Sequence, residues 1–377
     1  MSIERNQRKI KVLHYIAGFL YGGIESMFLN WYEHIDKNKI EFELLKRTQD
    51  DNTDELRRFQ AMGGIVHKLK TLSAGSIFDF RKSVKDFFAT HHDYDILHVH
   101  GSNDPFVFQY AKKYGIKVVI LHSHAALVNK KTGYRHLKTV FDLINRPYVD
   151  HYFACSKKAG EYRFGKKDVQ NHKVKIINNA IQVSNFIFDQ KTRDEYRAQL
   201  KIEGKFVVGH VGRMTFQKNF PLLINIFYQV AKKNDNAILL LVGDGPDYPV
   251  IKHQVYELGL ESKVLFLGIR TDVTKLLQAM DVFLLPSRWE GLPVTVIEAQ
   301  ATGIKCVVAD TITDEAAITP NIQFIPLNKP EEFWADCIIK HSNGYERKNM
   351  AQTIAQAGYD IETQVKELER LYREMIT

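Results

Sequence analysis

Cysteine is scarce. Cys155, Cys306 and Cys337 are the only three in 377 residues, widely spaced and without a CxxC pair. That excludes a disulfide framework and a cysteine-based zinc site, and it suits a reducing compartment. Long apolar runs are missing as well: no stretch approaches the about 18 consecutive apolar residues of a membrane span. The opening MSIERNQRKIKVLHYIAG carries charges where a signal peptide needs an apolar centre. The expectation is a cytoplasmic protein. Also missing is the dinucleotide fingerprint G-x-G-x-x-G. Gly18, Gly22 and Gly23 have the wrong spacing, and Gly243-Asp244-Gly245 is followed by Tyr248 where the third glycine would stand. A nicotinamide-dependent dehydrogenase thereby loses ground.

What is present is the mix of a folded enzyme, 45% hydrophobic and 25% charged, at a length that sets two domains as the expectation. Short apolar runs alternate with amphipathic ones. Residues 11–16, 42–45, 65–69, 96–100, 118–124, 151–156 and 175–180 read as strands, and Ile24, Met27, Phe28, Trp31 and Ile35 mark one helical face. The polar stretch 188–205 reads as a linker with a short helix. Strands then recur at 206–212, 237–243, 264–268, 281–286, 306–310 and 322–326, with helices between them and a closing helix near 361–376. Strands that are apolar throughout belong to parallel sheets covered on both faces. The expected fold class is α/β, two doubly wound Rossmann-like domains with the site in the cleft between them.

Charge is unevenly spread. Residues 1–200 hold 33 Lys/Arg against 22 Asp/Glu, and residues 201–377 hold 19 against 22. The first half is a candidate to meet an anionic surface or ligand, although a solvated basic face explains the same count. Its lysines include the adjacent pairs Lys112-Lys113, Lys130-Lys131, Lys157-Lys158 and Lys166-Lys167.

The chemistry-bearing residues sit at strand ends. Gly22 and Gly23 allow backbone N–H groups to approach an anion at a helix start, or make a plain turn. His98 and His100 share a strand face, as do His122 and His124. A metal would need further ligands, and none is evident, so the expectation is no metal and histidines that are packed or bonded to a sugar or phosphate. Arg213 directly follows a strand and Lys218 precedes a helix. The pair suits a diphosphate, one residue bidentate and the other a point charge; two surface cations by chance is the plain alternative. In SRWEGLPVTVIEAQATG, residues 287–303, Glu290 and Glu298 are eight positions apart, which on one helix would turn both to one side. Glu298 can accept both hydrogen bonds of a ribose diol. With Glu290 and Gly291 facing a sugar, the set describes a nucleoside diphosphate sugar.

These motifs resemble family 4 of the retaining glycosyltransferases: V-G-R at 211–213, K-N at 218–219, V-G-D-G-P at 242–246, F-L-G at 266–268 and P-S-x-x-E-G-L-P-x-x-x-x-E-A-x-A-x-G at 286–303. The Gly22-Gly23-x-Glu25 loop and the D-I-L-H-V-H strand extend the resemblance, which is strongest to enzymes of capsule and exopolysaccharide assembly. It implies the two-domain GT-B fold, here divided as 1–198 and 199–359, with the helix 360–377 packing back on the first domain. It implies that Arg213 and Lys218 bind the donor pyrophosphate and Glu298 the ribose. Glu290, with the Gly291 and Leu292 amides, would engage the donor sugar. The backbone at Ile269 and Arg270 would meet the base. Gly245, and Gly23 from the other domain, would lie near the diphosphate, and His124 beside the sugar. His122 and Lys305 depart from the usual pattern of Thr and Pro. The implied reaction is retaining hexosyl transfer from a donor, UDP-linked, to an oligosaccharide or lipid-linked acceptor. No cofactor is expected and no nucleic acid partner. A basic first domain would hold the enzyme on the anionic inner face of the cell membrane. Two rivals stay open: a sugar-nucleotide epimerase of the same shape, and a non-catalytic binder of anionic polymers.

Overall fold

The structure is a computed structural model that describes residues 8–19, 22–48, 53–73, 75–124 and 141–377. The apolar runs form two sheets. The first holds β1 (Ile10–Ile16), β2 (Ile40–Lys46), β3 (Ile65–Lys68), β4 (Ile96–His100), β5 (Val118–Ser123), β6 (His151–Ala154) and β7 (Val174–Ile176), in the order β3-β2-β1-β4-β5-β6-β7. The second holds β8 (Phe206–Val211), β9 (Ala237–Val242), β10 (Val264–Gly268), β11 (Val282–Leu285), β12 (Lys305–Ala309) and β13 (Ile322–Ile325), in the order β10-β9-β8-β11-β12-β13. Every pairing between these strands is parallel. The fold class is the expected one, two Rossmann-like α/β sheets. Strand order reverses between β1 and β4 and between β8 and β11, and ligands of such sheets bind at the carboxyl side of those points.

Both faces of the first sheet are covered, because alternate residues of a strand point to opposite sides. Leu13, Tyr15, Leu97, Val99, Val119 and Leu121 pack on one side with Phe80, Val84 and Phe88 of the helix Ile77–Thr90. Val12, Ile16, Ile96 and Ile120 pack on the other with Phe28 and Trp31 of the helix Gly23–His34. The closing helix Ile361–Ile376 joins this second layer through Ile361, Val365, Leu368 and Tyr372. There the Trp31 indole N–H donates to Gln364 Oε1 at 2.9 Å.

The chain divides into Met1–Ala180 with Ile361–Thr377, and Ile181–Asp360. The change of unit thus falls after Ala180, not after residue 198 as the polar stretch suggested. Ile181, Val183 and Phe186 are buried in the second unit's core. The helix Gln190–Leu200 is no free linker either. Asp189 caps it by accepting from the Thr192 N–H at 2.8 Å, and Arg193 and Arg197 both grip Asp281. Asp281 also accepts from the Val207 N–H at 2.7 Å, which ties this helix to the start of β8.

Leu368 is fully buried in the first unit's core. Leu368→Ala is expected to cost about 2–5 kcal/mol of that unit's stability. Hydrogen exchange should show lost protection in β1, β4 and β5 and little change in β8, β9 and β11; equal loss in both sets would refute a core confined to the first unit.

Candidate functional site

In the second unit four loops follow β8, β9, β10 and β11, and they are packed against one another by backbone contacts. The Met214 N–H donates to Asp244 O at 2.9 Å and the Gly243 N–H to Gly268 O at 2.8 Å. A Cβ on Gly243 would lie 2.2 Å from the Gly212 carbonyl oxygen, and one on Gly245 would lie 2.3 Å from that of Met214. Gly245 is therefore required by loop packing, a role separate from the donor contact expected of it. The Arg288 N–H donates to Gln217 O at 2.8 Å, which joins the loop after β11 to the loop after β8.

Lys218 closes the short turn Phe216–Lys218, and its stem lies over Gly212, where a Cβ would be 3.2 Å from Cε. The ammonium meets Glu290 Oε1 at 2.8 Å. The same oxygen accepts from Ser287 Oγ at 2.8 Å, and Gln217 Nε2 donates to Glu290 Oε2 at 3.0 Å. Glu290 is only 7% exposed, so this full set of partners offsets the loss of water. Lys218 was expected on a diphosphate and Glu290 on a sugar; the structure bonds the two to each other. Ser287 and Gln217 were not anticipated. Ser287 stands in the motif three residues before Glu290, but nothing local in the sequence points to Gln217.

Glu290 and Glu298 do not share a helix face. The helix begins at Val294, after Pro293, so Glu290 lies in the preceding loop and only Glu298 lies on the helix. The Glu298 carboxylate has no hydrogen-bond or ion-pair partner among the described residues, and burial pushes it up to about 7. Arg213 is exposed and likewise makes no side-chain bond among them. The Gly291 and Leu292 amides donate to nothing in the described protein. Ile269 is 59% exposed just beyond Gly268, while the Arg270 guanidinium is held bidentate by Asp272 at 2.7 and 2.5 Å. Arg270 thus has Nε and Nη2 committed to Asp272 and keeps Nη1 and its backbone for a ligand. The second unit therefore offers the unbonded Arg213 guanidinium, an ammonium–carboxylate pair and two free amides on joined loops, and the unpartnered Glu298 carboxylate on the helix that follows.

In the first unit Gly23 opens its helix, with Gly22 as the cap residue in extended backbone. Glu25 folds back so that a Cβ on Gly22 would lie 3.0 Å from its Oε2. His124 follows β5, with Nε2 at 3.1 Å from His100 Nδ1 and its own Nδ1 buried without a partner. Burial, together with the positive charge of Arg163, lowers the His124 imidazole to about 3, so it is neutral. The expected His98–His100 and His122–His124 pairs are joined by His14 of β1, which the sequence analysis did not include. Asp104 is a further unanticipated centre, accepting from the Tyr15 hydroxyl at 2.5 Å and from Arg47 Nε at 2.6 Å beyond the end of β4.

Two family models match: one described as glycosyl transferases group 1 over residues 192–356, and one described as glycosyltransferase family 4 over residues 21–185. The Bacillus subtilis protein EpsF, named as a glycosyltransferase, is 28% identical over 376 residues, covering 97% of each chain. An Escherichia coli UDP-Gal:alpha-D-GlcNAc-diphosphoundecaprenol alpha-1,3-galactosyltransferase is 23% identical over 396 residues, covering 99% of each. Among solved structures, Anabaena HepE in complex with UDP superposes with a TM-score of 0.77 at 18% identity, covering 97% of this chain and 100% of that one.

The raised Glu298 carboxyl has a consequence for stability. Its ordinary value is 4.5, and in the folded chain it is about 7. Between these values the folded state keeps a proton that the unfolded state releases, so stability falls as pH rises through that window and stays lower above it. Glu298→Gln should therefore exceed wild type by up to about 3 kcal/mol above pH 7, with the gain vanishing below the ordinary carboxylate range. Urea unfolding at acid and alkaline pH measures this, and a gain that does not change with pH would contradict the desolvated carboxyl.

Proposed function

The chain belongs to the family 4 glycosyltransferases of GT-B architecture, and on that premise we propose that it moves a hexosyl group from a UDP-sugar to a lipid-linked glycan, with retention at the anomeric carbon. The observation that carries the reading is Glu298, an unpartnered carboxylate on the helix that leaves the loop after β11. A ribose diol would supply both hydrogen bonds that Glu298 lacks. The relatives' names support the donor and acceptor classes. One relative uses UDP-Gal and a diphosphoundecaprenol-linked sugar, HepE binds UDP, and EpsF resembles the chain over nearly its full length.

The roles then divide by charge. Arg213 and Lys218 bind the diphosphate, with Gly23 at a helix start offering a backbone amide; the Gly245 N–H, in the loop after β9, joins them by exchanging its bond to Asp244 Oδ1 at 2.7 Å for phosphate. Glu290 and the Gly291 and Leu292 amides face the donor sugar, the Ile269–Arg270 backbone meets the base, and His124 lies beside the sugar. In the transfer the acceptor oxygen bonds to the anomeric carbon on the face from which the diphosphate leaves. The broken C–O bond's electron pair departs with the β-phosphate, and the acceptor hydroxyl's proton passes to the departing phosphate oxygen. Negative charge on the leaving group is greatest in the transition state, where Arg213 and Lys218 act on it. Lys218 shifts part of its bond from Glu290 to phosphate, and Ser287 and Gln217 keep the Glu290 carboxylate satisfied meanwhile.

Among the described residues no helix is long and apolar enough to cross a membrane. The enzyme reaches a lipid-linked acceptor by docking its first unit on an anionic surface. The helices Lys157–Phe164 and Lys166–Gln170 present Lys166, Lys167 and the exposed Tyr162, and the Arg146–Asp168 ion pair at 3.8 Å sets the turn Arg146–Tyr148 beside them. Leu143 and Ile144, also exposed, immediately precede that turn. Lys112 is engaged by Asp150 at 2.5 Å, and Lys130 and Lys131 lie outside the described residues.

Four measurements test this. Arg213→Ala should lower kcat by about 100-fold or more, the scale of losing one transition-state donor. Glu298→Ala should weaken UDP binding about tenfold through the unpaired diol. Wild-type UDP affinity in Glu298→Ala would remove the ribose role, and an inverted product anomer by NMR would remove retention. Liposome co-sedimentation should rise with anionic lipid, fall with salt and drop in a Lys166→Glu/Lys167→Glu variant; equal binding to neutral and anionic vesicles would sink the docking face.

A further inference from the structure

Strand order sets β1, β4 and β5 side by side, so His14, His98, His100 and His122 share one face of the sheet, with His124 just beyond. The first four are at most 2% exposed. A neutral imidazole has one donor and one acceptor nitrogen, and rings cut off from water must find partners in one another. They do so in two rows. His14 Nδ1 lies 2.9 Å from His100 Nε2, and His100 Nδ1 lies 3.1 Å from His124 Nε2. In the other row the Tyr372 hydroxyl lies 2.6 Å from His98 Nδ1, and His98 Nε2 lies 3.1 Å from His122 Nδ1.

Two triplets, His14–His98–His100 and His100–His122–His124, are close enough to suggest metal ligands. The ring geometry argues otherwise. In the first row both successive ring pairs have centroids 5.2 Å apart and planes within 21° and 26°. With N···N contacts so short, that ring separation requires the rings to lie end to end, the line between the nitrogens passing through both ring centres. That is the direction of an N–H···N bond; nitrogens aimed at each other are not aimed at a common third point. The surroundings are Phe28, Phe42, Phe153 and Trp31, and among the described residues no carboxylate acts on the rings to offset an ion's charge.

We propose that His100, held in turn by His14, is a positioning residue that fixes the tautomer and orientation of His124, so that His124 presents its Nδ1–H as a donor to a donor-sugar hydroxyl. The inference rests on the reading of His124 beside that sugar. Each ring passes one hydrogen bond along the row, so all three rings share a tautomer: if one carries its proton on Nδ1, all do. The row has two free ends, His14 Nε2 in the aromatic core and His124 Nδ1 beyond the end of β5, both buried and without a partner among the described residues. A buried orphan N–H is rarer than a buried orphan acceptor. The bare lone pair therefore belongs on His14 and the N–H on His124, where a hydroxyl oxygen can accept it. Burial keeps both terminal rings neutral, which preserves the one-donor, one-acceptor pattern.

The test uses the full chain labelled with ¹⁵N-histidine and long-range ¹H–¹⁵N correlation. His14, His100 and His124 should all be Nδ1–H tautomers; different tautomers among the three, or Nε2–H in all of them, overturns the proposal, as does one bound metal ion per chain in the purified protein. His100→Phe keeps a planar ring but removes the bond to His124, and His124 should then show both tautomers. His100→Asn restores an amide donor at the Nδ1 position and should restore the single Nδ1–H state of His124, although the smaller polar side chain makes it the less stable variant. UDP-glucose hydrolysis should fall about five- to tenfold in His100→Phe and recover in His100→Asn, the reverse of their stability order. Rates that follow stability would reduce His100 to a packing residue. Unchanged hydrolysis in His124→Phe, with the shared tautomer intact, would overturn the placement of His124 at the sugar and leave the row standing.

Discussion

A parallel sheet covered on both faces leaves polar groups few places to stand. Its strands must be apolar along their length, and their backbone groups are consumed by the ladder. Charge and hydrogen-bonding capacity collect beyond the carboxyl ends, where loops turn into helices. Arg213, Lys218, Glu290, Ile269 and Arg270 all lie there. The strength of the rule shows in its one large exception. Four histidines continue the alternating pattern of β1, β4 and β5 into the covered face, with His124 just beyond, and they are accommodated because the rings bond to one another in two rows.

The second unit distributes its charges unequally, and this is where chemistry becomes possible. Lys218 and Glu290 neutralise each other, with Ser287 and Gln217 completing the carboxylate's bonds. Such a buried pair adds little net stability, but removing either partner strands the other. Glu298 and Arg213 have no such neighbours among the described residues. The carboxyl of Glu298 is raised by burial alone, so the fold tolerates a destabilised group that a diol would relieve. A site that holds some groups in reserve and leaves others unsatisfied matches the diol and diphosphate of the proposed donor.

Most strands were legible because apolar runs bounded by turn residues carry their own signal. The second-unit motif was legible because Arg213, Lys218 and the E-x7-E pair stand at strand ends in sequence order. The unit boundary was misread because Ile181, Val183 and Phe186 are too few, and too closely followed by the charged stretch 188–205, to register as core. The shared helix face of Glu290 and Glu298 was misread because spacing alone does not reveal where a helix begins; Pro293 marks that start at Val294.

The amino-acid sequence by itself determined the α/β class, the two sheets and the residue types available at each strand end, since local periodicity and composition are written in contiguous residues. Tertiary structure alone decided which of those residues meet. His14 and His100 are 86 positions apart, and Lys218 and Glu290 are 72 apart. Only the crossover of strand order between β1 and β4, and the packing of the loops after β8 and β11, bring such partners within a hydrogen bond, because side-chain bonds act over a few ångströms and not along the chain.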